Sequence, residues 1–242
     1  MTTTHNRIVA LIAVYTERYV LPVVYLCFAT TNFSKCADIL SGRLVSENPV
    51  FIDATYQLTL LLLCIFTSLL LLLGRRAAVP PKQLKLILVP LTTAFFNFFY
   101  YTVPFFPAAW QINLCPQNFQ KPIFFAGLAC IIIGPAFAFW SMLHLGRSFG
   151  IYVTVRKVVT TGPYQWVRHP MYLGWVCLFI GFALANFSGA YFLLVAINIS
   201  LMIYRAKLEQ IQMAANSAEY REYMKHTRFI FPWFRKPGQL IS

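Results

Sequence analysis

The chain has 242 residues, of which 59% are hydrophobic, 17% aromatic and 11% charged, and its formal net charge is +13. An ordinary soluble domain has roughly 45–50% apolar and about 25% charged residues, so this composition excludes a single soluble domain and favours a polytopic membrane protein. Because the Lys and Arg residues lie between apolar runs, the charge indicates membrane topology and not nucleic-acid binding.

Six apolar segments predict an all-α fold, a polytopic membrane helix bundle of about six spans. They are residues 8–29, 58–73, 84–103, 122–145, 172–187 and 191–204. Between the first two, residues 31–53 are expected to form an extramembrane loop with a turn at Asn48-Pro49. We expect two regions, an N-terminal membrane bundle of three spans over residues 1–120 and a C-terminal region over residues 121–242.

The first segment is irregular because it contains Glu17 and Arg18. Each charge would cost about 2.5–3.5 kcal/mol at the middle of a membrane helix unless it were paired or displaced towards an interface. The alternative to a spanning helix over residues 8–29 is an interfacial helix followed by a short insertion.

The last two segments predict a C-terminal helical hairpin. Residues 172–187 and 191–204 are joined by so short a connection that they should be antiparallel neighbours, and Gly174 and Gly181 fall on one face that permits close helix approach. From Arg205 onward the chain is amphipathic and then basic and aromatic, which predicts a tail helix on the membrane surface.

The distribution of basic residues predicts the membrane topology. Sixteen of the twenty Lys and Arg residues lie in segments that the six-span arrangement assigns to the cytoplasm, and only three, Lys35, Arg43 and Lys121, in segments that it assigns to the outside. This bias predicts that the N- and C-termini are cytoplasmic. Cys36 and Cys115 would then both lie outside, where an oxidising compartment allows a disulfide.

Motifs for metal and nucleotide binding are missing from the sequence. The four histidines have neither H-x-x-x-H nor H-x-x-H-H spacing, and the six cysteines form no C-x-x-C pair. There is no G-x-G-x-x-G pattern and no Walker loop. We therefore expect no metal site and no soluble nucleotide-binding domain.

The stretch GPYQWVRHPMYLG, residues 162–174, places two polar residues, Arg168 and His169, directly before an apolar run. Pro170 suits the first turn of a helix, and the free amides at a helix start together with the two cations form an anion site. On helical periodicity His169 and Tyr172 share one side and can line the same cavity. The alternative is that these cations contact lipid phosphates while Tyr172 belongs to an aromatic belt.

A second polar pair lies at the end of the last predicted span. Arg205 and Glu209 are four residues apart and so share one helical face, and the hairpin brings that end beside Arg168 and His169. An exposed ion pair of this spacing would be worth only a few tenths of a kcal/mol. Ionisable groups that border a membrane cavity, in contrast, indicate a functional site.

A family resemblance covers roughly the last hundred residues. It rests on LGRSFG at 145–150, VVTTGPYQWVRHPMYLG at 158–174, Gly181, Asn186, the spacing of Arg205 and Glu209, and EYREYMKHTRFIFP at 219–232. This part of the chain resembles the isoprenylcysteine carboxyl methyltransferase family, within the wider group that includes phospholipid methyltransferases. Residues 1–120 resemble only a generic membrane bundle.

The resemblance implies an S-adenosylmethionine cofactor held near the cytoplasmic face, with membrane lipids as neighbours and a lipophilic acceptor entering from the bilayer. The residues that match the family's cofactor motif are Gly162, Tyr164, Arg168, His169, Pro170 and Tyr172. Arg205 and Glu209 match its C-terminal site. The family commonly has two adjacent glutamates, whereas Gln210 follows Glu209 here, which weakens any role for a second carboxylate.

Methyl transfer from a sulfonium requires alignment of donor and acceptor more than a metal or a covalent nucleophile. We expect Arg168 and His169 to bind the cofactor carboxylate and Glu209 to hold its amine or ribose. The rings that could stack on adenine or face the sulfonium are those of Tyr164, Trp166 or Tyr172.

The implied acceptor is an isoprenylcysteine-like carboxylate, oriented by Arg205. A carboxylate needs no general base, whereas the alternatives, a phospholipid amine or a small thiol, must lose a proton to Glu209 or a neutral His169. Two readings from other classes stay open on the sequence alone: a nicotinamide-dependent membrane reductase, and a noncatalytic membrane or transport protein.

Overall fold

The computed structural model describes residues 2–43, 50–74, 79–81, 83–96, 103 and 106–231. All regular secondary structure in these ranges is helical, so the predicted all-α class is confirmed. The helices are α1 (Thr2–Tyr15), a π-helical turn (Thr16–Val20), α2 (Leu21–Leu40), α3 (Val50–Leu73), α4 (Lys85–Phe95), α5 (Ala108–Gln111), α6 (Gln117–Leu145), α7 (Pro170–Asn186), α8 (Gly189–Asn216) and α9 (Ala218–His226).

Three helical stretches are long and apolar enough to cross a membrane, namely Arg7–Leu40, Gln117–Ser148 and Gly189–Asn216. Three shorter apolar helices occupy the other predicted spans, namely Leu60–Leu73, Lys85–Phe95 and Pro170–Asn186. Each predicted span therefore coincides with an apolar helix, while six complete crossings stay a prediction. Residues 97–102, at the end of the predicted third span, and Arg75, Arg76 and Lys82 of the basic loop before it lie outside the described residues.

The loop predicted over residues 31–53 is wrong at both of its ends. Helix α2 continues to Leu40 and α3 begins at Val50, whereas Asn48-Pro49 lies outside the described residues. Polar side chains are tolerated in α2 because they bond to its own carbonyls: the Thr31 hydroxyl donates to Cys27 at 3.0 Å and the Asn32 amide to Phe28 at 2.7 Å. Cys36, also in α2, is not disulfide-bonded to Cys115.

Both charges that make the first segment irregular have partners. Glu17 and Arg18 lie in the π-helical turn between α1 and α2. The Glu17 carboxylate pairs with Arg156 at 2.6 Å, and Arg18 Nη1 donates to the carbonyl of Gly74 at 3.1 Å. Because both charged groups have partners, the helical stretch contains them without the free-energy cost of isolated buried charges.

Helices α6 and α7 are in close backbone contact through four glycines. A Cβ on Gly134 would lie 2.6 Å from the carbonyl oxygen of Gly174, and one on Gly181 would lie 2.7 Å from that of Gly127. Gly174 and Gly181 do permit a close helix approach, as predicted, but the partner is α6 and not the hairpin helix α8. Packing of this kind fixes the start of α7 against α6.

The tail differs from its prediction. Helix α8 continues without a break from the apolar hairpin to Asn216, so Arg205 and Glu209 lie inside it and not on a separate tail helix. Helix α9 follows Ser217, whose hydroxyl caps it by accepting from the amide of Tyr220 at 3.1 Å. The aromatic stretch beyond residue 231 lies outside the described residues, and a membrane-surface position for the tail stays a prediction.

Candidate functional site

A cleft lies where the irregular segment of residues 149–159, the start of α7, the C-terminal half of α8 and helix α9 meet. Its empty volume is ≈ 770 Å³, a figure that includes open space at its mouth. The predicted site residues that line it are Tyr164, Arg168, His169, Tyr172 and Glu209. The two sequence motifs thus meet in one cleft.

Backbone pairing with the C-terminal segment holds the motif before α7. The amide of Arg168 donates to the carbonyl of Arg228 at 2.8 Å and that of His169 to Phe229 at 3.2 Å, while the Arg228 amide donates to Trp166 at 3.2 Å. Pro170 then begins α7, where its missing N–H costs nothing. These bonds fix where the side chains of Arg168 and His169 enter the cleft.

Glu209 joins the two motifs. Its Oε1 accepts from the Tyr172 hydroxyl at 2.5 Å and from Arg205 Nε at 3.2 Å. Its Oε2 lies 3.7 Å from His169 Nδ1, which is too long for a hydrogen bond. Among the described residues none donates to Oε2, so one carboxylate oxygen stays available to a ligand in the cleft.

His169 is buried and its ring stacks on that of Tyr172, with centroids 5.4 Å apart and planes 10° apart. Burial, with a smaller contribution from the positive charges of Arg168 and Arg205, lowers the pKa of His169 to about 3. The imidazole is therefore neutral near pH 7, and of the two predicted cations only Arg168 carries charge. Nε2 of His169 is buried without a hydrogen-bond partner among the described residues.

Arg168 ties α9 to the cleft. Its Nη1 donates to the carbonyls of Met224 at 3.0 Å and Thr227 at 2.5 Å, at the end of that helix, where a cation is favoured. Burial lowers the pKa of Arg168, although the nearby phenols of Tyr220 and Tyr223 oppose the change. Its Nε is buried and has no partner among the described residues, so it is a free donor at the cleft wall.

Arg205 does not line the cleft. It is 6% exposed, and besides the bond to Glu209 its Nη1 donates to Thr93 at 3.0 Å and its Nη2 to the carbonyl of Ile151 at 2.7 Å. The guanidinium also lies 5.3 Å from the centroid of the Tyr172 ring. Arg205 therefore connects α4, the irregular segment and Glu209 through hydrogen bonds outside the cleft lining.

Three residues that sequence reasoning associated with the cofactor also stay outside the cleft. Gly162 has a φ of +61°, and a Cβ there would lie 2.2 Å from the His144 ring, so its role is to shape the loop. Trp166 is 51% exposed and packs near Trp140, with ring centroids 6.1 Å apart. Pro170 contributes the helix start and not a side chain at the cleft.

Sequence reasoning missed a second set of cleft residues. They are Tyr152, Thr154, Arg156 and Lys157 of the irregular segment and Tyr220 and Tyr223 of α9. The two α9 tyrosines are three residues apart and share a helix face, which is a signal that periodicity could have given. The irregular segment has no periodicity to predict which of its side chains face inward.

Residues 122–218 match the model of the phospholipid methyltransferase family. The predicted resemblance is thereby confirmed for the group of integral membrane methyltransferases, and the match includes Arg168, His169, Tyr172, Arg205 and Glu209. Together with the apolar helices, this family match indicates an integral membrane protein. No curated protein and no solved structure matches the chain significantly.

The cleft residues fit the cofactor that this family implies. S-adenosylmethionine carries a carboxylate, an amine, ribose hydroxyls, an adenine ring and a positive sulfonium. Buried donors without partners among the described residues, Arg168 Nε, His169 Nε2 and the Thr154 hydroxyl, suit its anionic and hydroxyl groups. Glu209 Oε2 suits the amine or the ribose, and the tyrosine rings suit the sulfonium or adenine.

Proposed function

We propose that the protein is an integral membrane methyltransferase that uses S-adenosylmethionine and modifies a lipophilic acceptor in the membrane. The observation that carries the proposal is the junction of Tyr172 and Glu209, which occupies Glu209 Oε1 and leaves Oε2 available in the cleft. Beside it, His169 Nε2 has no partner among the described residues, and both motifs lie within the family-matched region. The buried His169 Nε2 favours a polar ligand because a buried polar atom is costly to leave unpaired.

In the proposed complex Glu209 accepts a hydrogen bond from the cofactor's amine or ribose. Tyr172 and Arg205 hold its other oxygen, so Arg205 acts by positioning Glu209 and not by contact with the acceptor. Arg168 Nε and His169 Nε2 donate to the cofactor carboxylate. When bound, the cofactor supplies a methyl group on a sulfonium with a neutral leaving group, so alignment is the main requirement.

Among the acceptors, the site favours a carboxylate of the isoprenylcysteine type. A pKa of about 3 makes His169 a poor base for an ammonium or a thiol near neutral pH, because it would rarely hold the proton that it removes. A carboxylate needs no such base. A phospholipid amine or a small thiol is the alternative in the same class, and it would require Glu209 as the base. The basic residues support a cytoplasmic position for the cleft.

Isotope-labelled S-adenosylmethionine, supplied to membranes that contain the protein, tests both reaction and acceptor. We expect labelled lipophilic product whose label is released by mild base, as from a methyl ester, whereas base-stable label would identify an amine or thiol acceptor. Glu209→Gln should abolish labelling, and Glu219→Gln, the same change at an exposed site on α9, should leave it unchanged. Calorimetric binding of a nicotinamide cofactor without binding of S-adenosylmethionine would overturn the proposal in favour of a reductase.

A further inference from the structure

The first helical stretch lies outside the family match, but the Glu17 carboxylate in it contacts the segment that lines the cleft. Glu17 Oε1 accepts from the backbone amides of Ile151 at 2.7 Å and Tyr152 at 2.9 Å. Its Oε2 accepts from Arg156 Nη2 at 2.6 Å, and the side chains of this pair are only 13% and 11% exposed. Three hydrogen bonds to an ionised group make this a strong and directional junction.

The local backbone supports the same junction from both sides. Glu17 lies in the π-helical turn, a rare conformation that often marks functional sites. The preceding residue, Thr16, lies with its hydroxyl 2.9 Å from that of Tyr152. On the other side, a Cβ on Gly150 would lie 1.3 Å from Arg156 Nη1, so only glycine lets the guanidinium lie across the backbone there to meet Glu17.

The partners of Glu17 belong to the cleft. Tyr152 and Arg156 line it directly. Ile151 donates its amide to Glu17 and accepts at its carbonyl from Arg205 Nη2 at 2.7 Å, and Arg205 in turn holds Glu209. One peptide segment is therefore fixed between a carboxylate of the N-terminal stretch and the guanidinium behind the proposed cofactor ligand.

We propose that Glu17 is a positioning residue, which fixes the 151–156 wall of the cleft and, through Ile151 and Arg205, the carboxylate of Glu209. The effect of Glu17 on cofactor binding rests on the proposed function, whereas its effect on the cleft wall does not. It extends the site to a part of the chain, residues before 122, that the family match does not cover. Arg18 provides the contrast, because it lies in the same turn but bonds to Gly74 and not to the cleft wall.

Binding of S-adenosylmethionine to the full-length protein, measured by calorimetry, is the first test. Loss of a hydrogen-bonded charge costs about a factor of ten or more, so Glu17→Gln should raise Kd by about tenfold and Glu17→Asp should restore part of the loss. Arg18→Gln should stay within about twofold of the original protein, as a group outside the junction should. An equal loss of cofactor affinity in Glu17→Gln and Arg18→Gln would show that Glu17 only stabilises the fold, and would overturn the proposal.

A double-mutant cycle tests the link to Arg156. If Glu17 acts through that side chain, the Kd of the Glu17→Gln/Arg156→Gln protein should be close to that of the weaker-binding single variant. Fully additive losses would contradict the link. Gly150→Ala, which displaces Arg156 without altering a charge, should weaken binding in the same way.

Amide hydrogen exchange separates a failure of this inference from a failure of the proposed function, because it needs no cofactor. The amides of Ile151 and Tyr152 should exchange at least about tenfold faster in Glu17→Ala than in the original protein, and should be unchanged in Arg18→Gln. Unchanged exchange in Glu17→Ala would overturn the proposal even if the cofactor binds. Faster exchange in a protein that binds no S-adenosylmethionine would support the junction while refuting the proposed function.

Discussion

The hydroxyl of Tyr172 donates a 2.5 Å hydrogen bond to Oε1 of Glu209, across 37 residues of sequence. Tyr172 lies in the first turn of α7 and Glu209 in the second half of α8, so this bond joins the two motifs. The phenol ring also contacts the stacked ring of His169 and the guanidinium of Arg205, and these contacts restrict its orientation. The shape of the proposed cofactor site depends on this arrangement.

Tyr172→Phe should weaken binding of S-adenosylmethionine by about tenfold, because it removes one hydrogen bond to a charged acceptor while keeping the ring. Calorimetric titration gives the Kd. Tyr204→Phe is the matched control, since Tyr204 is 47% exposed on α8. Equal affinities for the two variants would show that the bond to Glu209 does not position the ligand.

Arg205→Lys should lower both stability and cofactor affinity. Lysine keeps the charge, but its single ammonium group cannot donate to Glu209, Thr93 and Ile151 at once. The acceptors that lose their hydrogen bonds should lower the free energy of unfolding by about 2 kcal/mol. The midpoint of thermal unfolding in detergent measures the loss. Arg221→Lys, at an exposed arginine of α9, should leave the midpoint unchanged. If Arg205→Lys lowers the turnover rate but leaves stability and cofactor affinity unchanged, the positioning role is contradicted and Arg205 instead orients the acceptor.

The buried His169 predicts a pH dependence of stability. Its pKa is about 3 in the folded protein and near 6.5 in the unfolded chain, so between these values the unfolded state binds more protons and stability falls as the pH is lowered. The loss from this group should reach about 1.4 kcal/mol between about pH 7.5 and 5.5. Thermal unfolding across this pH range should show the loss of stability. The loss should be smaller by this amount in His169→Gln, whereas His226→Gln should leave the contribution of His169 unchanged.

The contact of α6 with α7 predicts a strict requirement for glycine. In Gly134→Ala the new methyl group would lie 2.6 Å from the carbonyl oxygen of Gly174, and backbone cannot move aside cheaply. We expect a loss of about 1–3 kcal/mol, seen as a lower unfolding midpoint. Ala136→Val adds a larger volume at an exposed position of the same helix and should have little effect. Similar midpoints for both variants would contradict the close packing.

Gly162→Ala should destabilise the protein more than Gly42→Ala. Both glycines have a positive φ, of +61° and +71°, so both variants carry the cost of a left-handed alanine, about 1–2 kcal/mol. Only at Gly162 would the new Cβ also overlap the ring of His144, whereas Gly42 faces open space. Equal unfolding midpoints would mean that the loop moves away from His144 without cost.

The meeting of His169, Tyr172 and Glu209 could be predicted from sequence because both motifs lie at the same end of two helices joined by a two-residue connection. The direction of Arg205 could not, since helical periodicity gives a face but not which of several buried acceptors a long side chain reaches. The contacts of Glu17 could not be predicted, because the sequence shows this residue only as a charge within an apolar segment. Its partners are in an irregular segment more than 130 residues away, which no local pattern predicts.

The helical extent of residues 31–40 shows a different limit. Thr, Asn and Ser favour turns because their side chains compete for backbone hydrogen bonds, but the same side chains can bond to carbonyls one turn earlier and so remain in a helix. Which of the two occurs depends on packing that composition does not contain. The polar composition of this stretch therefore predicted a loop where α2 continues.

The pairing of residues 166–169 with residues 228–229 has a consequence for biosynthesis. Phe229, the partner of the His169 amide, is added sixty residues after His169. At about 5–20 residues per second, the motif is synthesised roughly 3–12 s before its backbone partners exist. Until these partners are present, the motif before α7 lacks the backbone bonds that fix it at the cleft. A nascent chain arrested after α8 would thus contain every family-matched site residue and still lack a finished site.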